Sequence, residues 1–253
     1  MSNREERERL RQQRLAQQGG GGDRARLIAG YVVAGVLAAA VVVGLVIVIA
    51  SGGDDGGGGG GDTPEAAHID GTVGVFEGLE PDDREGTPPP EIQFGDLAES
   101  AERAGCELRQ DLPNEGNTHF TDETKGSYET NPPTSGDHYA GDEAGSGATA
   151  DGAYASTPPE SRAVHAMEHG RVQLRYSPDL PEDQQLALKG AFDESPGGIT
   201  MFPDPDLPYA VAFSAWQAYA GCKQYAPLVL DVYRNFRDTY RGNGPEDVLI
   251  NGL

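Results

Sequence analysis

Residues 161–176, SRAVHAMEHGRVQLRY, hold a helix, a stop and a strand in sixteen positions. Ser161 to His169 predicts one or two helical turns. Gly170 closes them, because glycine tolerates the left-handed conformation in which helices end. From Arg171 to Tyr176 polar and apolar residues alternate strictly. That pattern predicts a half-buried strand with Val172, Leu174 and Tyr176 facing inward.

Toward the C-terminus, Pro181 to Phe192 reads as a helix ended by Ser195-Pro-Gly-Gly198. Ile199–Phe202 and Tyr209–Trp216 read as two further strands around a Pro-rich turn. Pro227 to Tyr240 reads as an amphipathic helix, because Val229, Val232, Tyr233, Phe236 and Tyr240 recur at helical spacing. Toward the N-terminus, residues 107–160 are rich in Gly, Pro, Asn and Asp and predict loops. Asp96 to Gly105 predicts a short helix with Asp96 as N-cap and Gly105 as stop. The order of strand, helix, strand, strand, helix behind a loop-rich half predicts an α+β domain with a mixed or antiparallel sheet. It occupies residues 91–253.

Ahead of it lie three unlike segments. Residues 27–50, LIAGYVVAGVLAAAVVVGLVIVIA, carry no charge. As a helix they would extend roughly 36 Å, enough to cross a hydrocarbon core of about 30 Å. This predicts a single transmembrane helix and a partner in the lipid bilayer. Residues 1–26 hold seven Arg against four acidic residues, while the first Lys or Arg beyond the span is Arg84. The positive-inside rule then puts the N-terminus in the cytoplasm and residues 51–253 outside, at the cell membrane. A cleaved signal peptide is the rival reading, but its apolar region would be shorter and followed by a small-residue cleavage site. Residues 51–90 form a tether rich in Gly, Pro and acids, with one strand expected at Thr72–Phe76.

The chain's formal net charge is −22. Nucleic acid and anionic lipid would repel such a surface, which argues against either as a partner. The protein partner stays open. The two cysteines, Cys106 and Cys222, both lie in the outer domain. An even count in an oxidising compartment predicts a disulfide between them.

Four of the five histidines, His119, His138, His165 and His169, fall in the outer domain, and His68 lies in the tether. His165 and His169 are four residues apart on a predicted helix, so both imidazoles share a face and reach one ion. His119 and His138 sit in loops. His138 ends the stiff run Asn131-Pro-Pro-Thr-Ser-Gly-Asp-His138, which presents one imidazole at low entropic cost. A four-His site for zinc or copper is the leading reading. A single histidine is more often a hydrogen-bonded structural residue, and it is the clustering that favours a site. Met167 belongs to the core. If it faced the site, its thioether would favour copper(I).

His165-Ala-Met-Glu-His169 also matches the H-x-x-E-H pattern of a zinc hydrolase. There His165 and His169 hold zinc, Glu168 is the catalytic base, and a downstream acid such as Glu246 completes the ligands. Glu168 serves equally well as an acceptor that orients an imidazole. A third reading is a cell-surface interaction module without metal, whose acidic face meets a basic partner. No phosphate loop, nucleophile elbow, dinucleotide fingerprint or C-x-x-C pair occurs.

The motifs Ala-Gly-Cys106, His119, Tyr128, Pro-Pro-Thr-Ser-Gly-Asp-His138, Tyr154, Val-His165-Ala-Met-Glu-His169-Gly170, Ala-Trp216, Cys222 and Gly-Pro245-Glu246 follow one another in a telling order. Together they resemble a bacterial family catalogued as a domain of unknown function, number 3105, over about residues 95–247. The resemblance implies one N-terminal membrane anchor followed by this domain, and it implies no activity. Asp137 departs from it, because members commonly carry Pro before the histidine.

Overall fold

The computed structural model describes residues 78–122, 126–141, 147–246 and 248–250. The predicted membrane span, the Thr72–Phe76 strand and His68 lie outside them. No helix among the described residues is long and apolar enough to cross a membrane.

Val172–Tyr176 forms the predicted strand, β5, at the middle of a six-stranded mixed sheet. The strands are β1 (Cys106–Arg109), β4 (Gly152–Ala153), β5, β6 (Ile199–Pro203), β7 (Val211–Ala215) and β8 (Ala218–Cys222). Their spatial order is β1-β8-β7-β5-β6-β4. The β4–β6 and β5–β6 pairs are parallel, and β5–β7, β7–β8 and β1–β8 are antiparallel. A separate parallel pair joins β2 (His119–Phe120) to β3 (His138–Tyr139). The helices are α1 (Leu97–Ala104), α2 (Glu160–Glu168), α3 (Glu182–Asp193) and α4 (Val229–Tyr240).

The strand is not half-buried as its alternation predicts, because all five residues are buried. Val172, Leu174 and Tyr176 join the main core with Leu188 of α3 and Phe236 of α4. Gln173 and Arg175 point the other way, where α2 covers them. Gln173 Nε2 donates to the Ala163 carbonyl. Arg175 is paired with Glu160 on α2 and with Asp204. A buried guanidinium is tolerable only with such partners. The polar phase of the strand therefore marks a second buried layer rather than solvent.

The predicted helices form close to their expected bounds. Asp96 caps α1 by accepting from the Glu99 N–H at 2.9 Å, and Gly105 ends it at φ 68°. Several strands depart from the sequence reading. β1 and the short β2, β3 and β4 lie in the segment expected to be loop, and β8 follows β7 through a tight turn at Trp216-Gln217. Gln217 holds φ 60° there, and its N–H donates to the Thr134 carbonyl at 2.7 Å. Cys106 and Cys222 face each other across β1 and β8 and form the predicted disulfide.

The end of the tether as read from sequence is fastened to the domain. Asp82 N–H donates to the Ala153 carbonyl, and Thr87 N–H to the Leu186 carbonyl. Gly86 and Gly190 lie backbone to backbone, and a Cβ on either would strike the other segment.

Candidate metal centre

Local backbone geometry brings the distant histidines together. The register of β2 and β3 sets His119 directly beside His138. His138 lies where the chain leaves Gly136, whose φ of 134° suits glycine and whose missing Cβ makes room for the Tyr128 ring. Gly136 N–H donates to the Gly116 carbonyl, and His138 N–H to the Thr118 carbonyl. The loop is therefore fixed to the strand that carries His119.

Helix α2 brings His165 and Glu168. Its C-terminus is a Schellman arrangement. Gly170 N–H donates to the Met167 carbonyl and Arg171 N–H to the Ala166 carbonyl, with Gly170 at φ 79°. This closes the helix at Glu168, so His165 and Glu168, three apart, share its face. His169 falls at the cap, with φ −78° and ψ 12°, and its N–H still donates to the His165 carbonyl.

The result is a cluster of His119, His138, His165 and Glu168, whose ligating atoms all lie within 4.8 Å of one another. In a tetrahedral zinc site with bonds of about 2.1 Å the donors lie about 3.4 Å apart, so the widest pair of this set would have to draw together by about 1.4 Å to share one ion. His119 Nε2 lies 3.2 Å and His138 Nε2 2.9 Å from the same oxygen, Glu168 Oε2. The three rings sit 4.6 to 5.2 Å apart by centroid.

The hydrogen bonds behind the rings set their tautomers. His138 Nδ1 donates to the Gly136 carbonyl and His165 Nδ1 to the Tyr139 carbonyl, each at 2.8 Å. A neutral ring that donates from Nδ1 carries its lone pair on Nε2. In His138 that lone pair faces a carboxylate oxygen, and the approach lacks hydrogen-bond alignment, leaving Nε2 buried without a hydrogen-bond partner. A short separation between two lone pairs is repulsive unless a proton or a metal cation lies between them.

Charge points the same way. Burial raises the pKa of Glu168, but the close approach of His138 and the positive charge that His138, His119 and His165 carry when protonated outweigh it and hold the carboxyl below its usual range. Burial, reinforced by His169 and His138, pushes His165 down to about 3, so its lone pair is free at neutral pH. The Glu168 side chain is 2% exposed, and the ion-pair partners it has among the described residues are imidazoles. A buried carboxylate so placed calls for a cation.

The cluster differs from the four-His set at one member. His169 packs its ring against His165 at 4.5 Å, yet its Nε2 turns to Glu246 Oε2 at 3.2 Å. Burial and the nearby Arg171 keep its pKa low against the pull of Glu246. Glu246 is carried there by a C-terminal strap. Gly242 N–H donates to the Gly170 carbonyl and Glu246 N–H to the Glu168 carbonyl. A Cβ on Gly244 would collide with the Glu168 carbonyl and the Gly170 backbone. Glu168 stands as the fourth member of the cluster, and its three-residue spacing from His165 ahead of a helix-stopping glycine is the sequence signal for it. Met167 is buried in an apolar cluster with Val164 and Trp216, as expected of a core residue. Asp137 spends its carboxylate on the Thr118 N–H at 2.8 Å.

All four clustered residues fall within residues 119–250, which match a family model. No curated protein and no solved structure matches the chain. The match spans more than half of the sequence and bears out the resemblance read from the motifs: the chain belongs to the family described as "Protein of unknown function (DUF3105)".

Proposed function

We propose that this is a membrane-tethered, extracytoplasmic metal-binding domain, with one transition-metal ion held by His119, His138, His165 and Glu168. The observation that carries the reading is the clustering of His119, His138 and His165 about the buried Glu168 carboxylate, with His138 and His165 fixed from behind by Nδ1–carbonyl hydrogen bonds. Three imidazoles and a carboxylate suit zinc or copper(II). The buried position of Met167 removes the argument for copper(I). Placement outside the cytoplasm is supported by the Cys106–Cys222 disulfide and by the charge asymmetry about residues 27–50.

A hydrolase that uses Glu168 as its base fits less well, because a base needs a carboxylate turned toward a bound water rather than shared between two imidazoles. The test is calorimetric titration of zinc and copper(II) into the metal-free protein. Binding at about micromolar affinity or tighter is expected. If neither ion binds, the metal reading fails and the non-metal interaction module replaces it.

A further inference from the structure

The four clustered side chains are not held alike. His138 is fully buried, and both His138 and His165 are fixed from behind by Nδ1–carbonyl bonds. Glu168 ends a helix clamped by the Schellman turn and the C-terminal strap. His119 is different. Its side chain is 42% exposed and rides on a two-residue strand. Among the described residues, the hydrogen-bond partner of its ring is the Glu168 carboxylate itself.

Three donors are thus preorganised and buried, while the fourth faces water and is oriented by nothing but the site. Freezing an exposed imidazole costs rotamer entropy that the buried three have already lost in folding. His119 is therefore the ligand that detaches most readily, and solvent reaches the ion from its side.

We propose that the His119 side is an exchange face. An incoming imidazole or carboxylate donor, from a small chelate or the side chain of an acceptor protein, adds to the ion there and replaces His119. The ion then moves without the domain opening. One ion–nitrogen bond breaks as one ion–donor bond forms. The lone pair returns to His119 Nε2, and the ion keeps its oxidation state. This inference rests on the metal reading above and adds to it a direction of entry and a class of recipient.

The test uses the full chain loaded with zinc and challenged with rising concentrations of a polycarboxylate chelator. Replacement at an open face predicts an extraction rate proportional to chelator concentration. A rate that stays the same at every concentration would mean that the ion leaves only when the domain opens, and that overturns the proposal. Among variants, His119→Ala should retain zinc but release it about tenfold faster or more, whereas His138→Ala should fail to load. Equal loss in the two variants also overturns it. Failure of the unaltered protein to load zinc is visible before chelator is added, and it counts against the metal reading instead.

Discussion

Glu168 links the helix to the imidazoles, and its charge is what the site is built around. Glu168→Gln keeps the shape but removes the charge, and His138→Ala removes a preorganised donor. Each should weaken zinc or copper(II) binding at least about a hundredfold, by extension from the 10- to 100-fold effects of residues behind the ligands. His68→Ala in the tether should change nothing, and calorimetric titration compares the three. The depressed pKa of His165 sets a pH dependence for the metal-free protein. The unfolded chain protonates His165 near pH 6.5, whereas the folded chain resists to about 3. Stability from this group is therefore complete above about pH 6.5 and lost as pH falls toward 3. Glu168 and His169, both also lowered, act in the same direction. Thermal melts should show a falling midpoint below about pH 6.5, with a shallower slope in His165→Ala. An unchanged slope in that variant would contradict the assignment.

At the scale of elements, the site depends on two short devices. The β2–β3 pair aligns His119 with His138, and the strap after α4 holds the end of α2. Gly244→Ala probes the strap without touching a ligand, since its Cβ would displace the chain from Glu168 and Gly170. Metal affinity should fall about 10- to 100-fold, as for other residues that orient ligands. Unaltered affinity would mean that the strap plays no part in the site. These devices were only partly legible. The rigid Pro-Pro-Thr-Ser-Gly-Asp-His138 loop was visible in sequence, but two-residue strands have no periodicity to detect. β8, Ala-Tyr-Ala-Gly-Cys, is rich in small residues and follows a Trp-Gln turn with none of the usual turn residues. Its place comes from pairing on both sides and from the anchoring of Gln217 to Thr134.

For the whole molecule, the Cys106–Cys222 disulfide ties β1 to β8 across 116 residues of sequence. Replacing both cysteines by Ser should cost about 4–5 kcal/mol in the chain-entropy account, read as a lower denaturant midpoint. A midpoint unchanged on reduction would show that the sheet holds without the bridge. The proposed topology has a separate check. In whole cells a thiol introduced as Gly60→Cys should react with a membrane-impermeant reagent, and one introduced as Leu15→Cys should not. The reverse pattern would invert the orientation.

Sequence alone determined the features carried by local patterns. Helices α1 to α4 follow from caps, stops and 3.6-residue periodicity, and β5 follows from alternation. The disulfide pairing follows from there being two cysteines. Sequence also singled out His119, His138 and His165. Tertiary structure decided which donors lie close enough together to share one ion. Glu168 rather than His169 joins them, because His169 Nε2 turns to Glu246 on the C-terminal strap. It also decided that Gln173 and Arg175 are buried, because α2 packs on the sheet face that alternation assigned to water. Periodicity reports which residues share a face. Only the packing of one element on another reports what that face meets.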